Sequence, residues 1–152
     1  MSEGRQGPRP GQLLDTTRVE LEQAWKDREA EAAALFAAGH VSMALALRVY
    51  SLEIRLKWHI CRHLRLDYLP RAYKTHDLPD IIIFTGLIAE LDDSANEPLL
   101  TNWDALAAFS KLRLNEDRYQ AGVSLDPDVF HELSAALDDP TDGVLSWLSR
   151  HP

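Results

Sequence analysis

Residues 50–78 read YSLEIRLKWHICRHLRLDYLPRAYKTHDL, and the first half of this stretch decides the fold. Leu52, Ile54, Leu56, Trp58, Ile60 and Leu64 fall on nearly every side of a helix, with charged residues set between them. A helix exposed on one side carries a single apolar stripe, so one that is apolar almost all round has neighbours on almost all sides. Continued back through Val49, Leu47, Leu45 and Val41, the pattern predicts a central helix over about 40–66, ended by Pro70. A basic loop follows, closed by Thr75, His76, Asp77 and Leu78.

Upstream, Leu14, Val19, Leu21, Trp25, Ala32, Leu35 and Phe36 recur at helical spacing, which predicts a first amphipathic helix from about Leu13 to Ala38, stopped near Gly39. Residues 1–12, with two prolines and three glycines, are expected to form a flexible tail. Downstream, Thr75 or Asp77 can cap a short third helix that has Pro79 in its first turn and runs through Ile81, Ile82, Ile83 and Phe84 to Gly86. The isoleucine run also suits a buried strand, but a lone strand has no partner here, and helix is the reading taken. Leu87–Leu91 predicts another short helical piece, Asn96-Glu97-Pro98 a break, and Leu99–Ser110 a further helix. Asp126-Pro127 and Asp139-Pro140 each have the cap-then-proline form that opens a helix. The expected class is all-α: one domain over 13–150, a bundle of about five to seven helices around the 40–66 segment.

With 152 residues, 45% hydrophobic and 26% charged, the chain suits one domain with a single core. A lone cysteine, Cys61, leaves no internal disulfide and points to a reducing, cytoplasmic setting. No secretory leader or membrane-length apolar run is present in the sequence, and no membrane association is expected. The net charge of −8 argues against a protein that coats nucleic acid. The charge is unevenly placed, however. Residues 48–74 hold seven basic against two acidic residues, whereas residues 75–142 hold three against fifteen. Such asymmetry can steer an anionic ligand, or bring the basic strip of one copy to the acidic surface of another.

Ala46, Tyr50, Glu53, Lys57, Cys61 and Leu64 step by three or four and share one helix face. On a helix this apolar, Glu53 and Lys57, in the favourable i,i+4 order, must satisfy each other, Tyr50 or a ligand, because an unpaired buried charge costs several kcal/mol. His59 and His63 have the spacing of two metal ligands, but Ile60 stands where a hydrolytic zinc helix needs Glu and no third ligand has a telling spacing, so no metal site is expected. Glycine-rich phosphate loops and Gly-x-Ser-x-Gly elbows are absent, and no cofactor is expected.

The run AALFAAGHVSMALALRVYSLEIRLKWHICRHLRLDYLPRAYKTHDLPDIIIFTGL, followed by NWDALAAFSKLRLNEDRY, resembles the HEPN domain, named for higher eukaryotes and prokaryotes nucleotide-binding. The resemblance spans roughly residues 31–120. It is carried by the small-residue and glycine step before a long helix, the Tyr50/Glu53/Lys57 face, Lys-Thr-His-Asp-Leu at 74–78, and Arg118-Tyr119. It implies an antiparallel helical bundle, often homodimeric, of the kind seen in toxin–antitoxin and defence systems and beside nucleotidyltransferase partners. Some HEPN domains are metal-independent endoribonucleases that use an Arg followed four to six residues later by a His. Arg71 and His76 fit that spacing here. Yet the chain has 12 arginines and 6 histidines, enough to produce about one such match by chance. Ala72 also stands where the family usually has a polar residue. The resemblance would place a catalytic motif near Arg118, which no histidine follows in range.

The favoured expectation is therefore a non-catalytic domain that binds a nucleotide or other phosphate-bearing ligand. Lys57, Arg71, Lys74 and His76 would supply cationic or hydrogen-bonding contacts beside Glu53, Arg118 would close the site from the last part of the bundle, Asp77 would orient His76 or cap the helix, and Tyr73 and Tyr119 would stack on a base. The alternatives are a metal-independent endoribonuclease acting on RNA through Arg71 and His76, and a protein interaction or dimerisation module with no small ligand. A binder should gather its basic groups on one pocket with a tyrosine nearby, whereas a module should scatter them around an apolar patch.

Overall fold

The computed structural model describes residues 16–112 and 125–152, and among them the chain forms seven α-helices and no strand. Helix α1 spans Arg18–Ala37 and α2 spans Val41–His63. The shorter α3 (Leu78–Ile83) and α4 (Ile88–Leu91) lead to α5 (Glu97–Leu112), and α6 (Pro127–Asp138) and α7 (Val144–Ser149) close the bundle. The tail predicted over 1–12, with residues 13–15, lies outside the described residues.

Helix α1 begins where its chemistry dictates. Thr17 Oγ1 accepts from the Glu20 amide while the Glu20 carboxylate accepts from the Thr17 amide, a reciprocal capping box. Its far end closes through Gly39 at φ +84°, with the Gly39 amide donating to the Phe36 carbonyl and the His40 amide to the Leu35 carbonyl. Helix α2 ends in the same way without a glycine. Arg65 takes φ +55°, its amide donates to the Arg62 carbonyl, and the Leu66 amide donates to the Cys61 carbonyl at 2.7 Å. This is a correction to the expected boundary: the helix stops at His63, seven residues before Pro70, because the left-handed turn at Arg65 satisfies the last carbonyls.

Helix α2 is the hub. Ala44, Leu45, Val49, Leu52, Leu56, Ile60 and Cys61 are all buried along it, and α1 packs against its length. Leu99, Trp103, Leu106 and Phe109 of α5 meet the α2 core residues, joined by Leu133, Ala136 and Leu137 of α6 and by Val144, Leu145, Trp147 and Leu148 of α7. The isoleucine run is helical as read: Ile81 and Ile82 enter the core, while Ile83 and Phe84 remain exposed.

Two boundaries downstream differ from the sequence reading. Helix α5 starts at Glu97, so Pro98 occupies its first turn, where a missing amide hydrogen leaves no helical bond unmade. Helix α7 starts at Val144 rather than after Asp139-Pro140. Asp139 Oδ1 instead accepts from the Thr141 and Asp142 amides, both at 2.9 Å, and holds a turn before the helix begins.

Candidate functional site

Along one face of α2, Glu53 and Lys57 are both buried, and Lys57 Nζ donates to Glu53 Oε1 at 2.6 Å. The same oxygen lies 2.9 Å from His76 Nδ1. His76 stands in the loop before α3, and its side chain is 86% exposed, so the contact with Glu53 is not a by-product of burial. The following residue, Asp77, is at the N-cap position of α3. Its side chain makes no capping bond, and its amide donates to Thr75 Oγ1 at 3.2 Å.

In front of Glu53 and His76 an open groove of about 810 Å³ runs between α1, α2 and α5. Its described lining includes Ala24 and Arg28 from α1, Leu47, Tyr50, Glu53 and Ile54 from α2, His76 and Asp77 from the loop, and Ala107, Ser110 and Lys111 from α5. Arg28 also pairs with Glu31 at 2.8 Å on the helix surface. Basic or donor side chains thus reach the groove from three separate elements, with Tyr50 among them.

The sequence-predicted residues divide. Glu53, His76 and Asp77 line the groove. Lys57 is buried in its bond to Glu53. Tyr73 is half-buried, with its ring 4.9 Å from that of Phe84, and is not among the described lining residues. Neither is Lys74. Arg71 is exposed in a single 3-10 turn, Arg71–Tyr73, and does not line the groove that His76 lines. Arg118 and Tyr119 lie outside the described residues. No sequence pattern marks Arg28, Ser110 and Lys111, because only the packing of α1 and α5 on α2 brings them to this face.

The rest of the basic strip is dispersed. Arg48 joins Glu29, at 3.2 Å, to Asp138. The Arg55 guanidinium lies over the Trp25 ring, and that of Arg62 over Trp58. His59 is buried with no hydrogen-bond partner for Nε2 among the described residues. Its burial, then the nearby Arg55, Arg62 and His151, push its pKa down to about 4. The described residues hold no group of three or more His, Cys, Asp or Glu side chains arranged to bind a metal, and no described helix is long and apolar enough to cross a membrane.

A second cleft, of about 570 Å³, lies between α1, α2 and α6, floored by Ala32, Ala33, Ala44 and Leu45 and edged by the stacked rings of Phe36 and Phe130. No protein-family model matches the chain, and neither a curated protein nor a solved structure matches it. The HEPN resemblance therefore rests on the residues quoted for it.

Proposed function

We propose that this chain is a HEPN-like helical domain that binds a nucleotide or other phosphate-bearing ligand in the groove between α1, α2 and α5, without performing chemistry on it. One observation carries the reading: Arg28, His76 and Lys111, from three elements, border one groove that also contains Tyr50. Arg28 and Lys111 are the anion contacts, Tyr50 offers a ring to a base, and the Glu53–Lys57 pair forms the buried wall behind them. This moves the cationic role away from Lys57, whose ammonium is engaged inside the fold, and away from Arg71. The resemblance places such a domain in a toxin–antitoxin or defence setting, as a homodimer or beside a nucleotidyltransferase-type partner.

Calorimetric titration with AMP, chosen because it carries phosphate, sugar and base together, tests the reading. Binding that weakens with added salt and drops about 10-fold in Arg28→Ala and in Lys111→Ala is expected. Absence of binding at millimolar AMP, or binding indifferent to both substitutions, would overturn it. The dispersal of the rest of the basic strip and the apolar cleft at Phe36 and Phe130 favour a second reading, a protein interaction module. Under that reading Phe36→Ser abolishes a partner contact while leaving AMP titrations unchanged.

A further inference from the structure

We infer that the cleft between α1, α2 and α6 is a second binding site, independent of the groove, for a small organic cation: an ammonium carried on an aromatic body.

The cleft has two chemically different ends. At one, Arg48 of α2 donates Nε to Glu29 Oε2 of α1 at 3.2 Å and both terminal nitrogens to the Asp138 carboxylate of α6. At the other, Phe36 of α1 stacks on Phe130 of α6, with ring centroids 5.8 Å apart. Phe36 follows Glu29 by seven residues and Phe130 precedes Asp138 by eight, so two helical turns, roughly 10–12 Å, separate the ends. Ala32, Ala33, Ala44 and Leu45 form the floor between them. Each end is closed by a contact that links α1 to α6, and a partner helix laid along the cleft would run onto one of them. The volume of about 570 Å³ instead suits a small molecule.

The polar end sets the charge of the occupant. Glu29 accepts one described hydrogen bond, the 3.2 Å bond from Arg48, although a carboxylate offers about four acceptor sites. Its second oxygen, Oε1, is covered and has no hydrogen-bond partner among the described residues. The terminal carboxylate torsion is soft, so either oxygen turns to an incoming donor at little cost. Arg48 is already shared between two carboxylates. Arg55 is near enough for its charge to feel Glu29, but its guanidinium lies over Trp25 and donates to Ser149, and it is not among the described lining residues. A charged N–H bonds a carboxylate more strongly than a neutral O–H does, and an anion is repelled by it. The aromatic body then lies on the floor and meets the two phenylalanine rings.

Tryptamine, tryptophol and indole-3-acetate, three probes of similar shape with a cationic, a neutral and an anionic head, test this by calorimetry and amide-resolved magnetic resonance. Expected are saturable tryptamine shifts on Ala33, Phe36 and Ser134, an affinity about 10-fold above that of tryptophol, and no binding of indole-3-acetate at millimolar concentration. Glu29→Gln should remove the preference for tryptamine while tryptophol still binds, which shows the cleft intact. Ala33→Phe, which fills the cleft from its floor, should abolish binding of both. Absence of tryptamine binding, equal affinity of tryptamine and tryptophol for the native chain, or shifts outside the cleft would overturn the inference. So would a preference that survives Glu29→Gln or binding that survives Ala33→Phe.

Discussion

Glu53 and Lys57 show how little a charge pair says until its burial is known. On an exposed helix the same i,i+4 pair would contribute a few tenths of a kcal/mol. Here both side chains are buried, so each depends on the other for its charge compensation. Replacing one partner leaves an uncompensated charge in the interior, whereas replacing both with apolar side chains of similar size removes the problem. Lys57→Met alone is therefore expected to lower unfolding stability by about 3–5 kcal/mol, and Glu53→Leu combined with Lys57→Met to recover most of that loss. Urea unfolding of the three chains measures this, and a single substitution as mild as the double one would show that the pair is solvated. The pair was legible in the sequence because charged residues interrupt an otherwise apolar helix. That Lys57 faces inward, bonded to Glu53 and outside the described lining of the groove, was not: spacing assigns a face of a helix but does not say what covers it.

Among the helices, the ends taught more than the middles. The apolar period located α1, α2, α5 and α6, and the Asp126-Pro127 signal placed the start of α6 correctly, with Asp126 accepting from the Asp128 amide at 2.8 Å. The same dipeptide form at Asp139-Pro140 misled, because an Asp before a Pro caps a turn as readily as a helix and the choice depends on the residues after it. The end of α2 was hidden for a different reason. Its terminator is Arg65 in the left-handed region, a conformation that glycine adopts without penalty and that costs an L-residue about 1–2 kcal/mol. Arg65→Gly should accordingly raise the unfolding midpoint, with a gain of about 0.5–1 kcal/mol once the greater freedom of the unfolded glycine is subtracted. An unchanged or lower midpoint would mean that the Arg65 side chain makes a stabilising contact that outweighs the backbone relief.

Across the whole molecule, the C-terminal segment is tied to α4 and to the hub by a polar seam as well as by its apolar face. Trp147 Nε1 donates to Glu90 Oε1 at 2.9 Å, His151 Nε2 lies 3.0 Å from Glu90 Oε2, and Arg55 donates to Ser149 Oγ at 3.3 Å. His59 is buried on α2 close to this seam, and burial reinforced by Arg55, Arg62 and His151 keeps its folded pKa near 4, below the ordinary 6.5. Between those two values the unfolded chain binds a proton that the folded chain does not, so stability falls as the pH drops from about 6.5 toward 4. The loss attributable to His59 is about 2–3 kcal/mol, measurable as the difference in pH-dependent urea unfolding between the native chain and His59→Leu. Parallel pH profiles for the two chains would show that His59 has a partner in the folded state. The separation of this seam from the groove also explains why the basic block of the sequence did not mark the site. Arg48, Arg55 and Arg62 lie on one element but serve three different neighbours, whereas the groove takes Arg28 and Lys111 from helices far apart in sequence.

The proposed binding surface is this groove, rather than the cleft at Phe36 and Phe130, with a phosphate-bearing ligand as its occupant. Amide-resolved magnetic resonance of nitrogen-labelled protein, titrated with AMP, tests it most directly because every described surface reports at once. Saturable shifts grouped on Arg28, Tyr50, Glu53, His76, Ser110 and Lys111 are the expected result. Shifts grouped instead on Ala33, Phe36 and Phe130, or none at millimolar AMP, would contradict it.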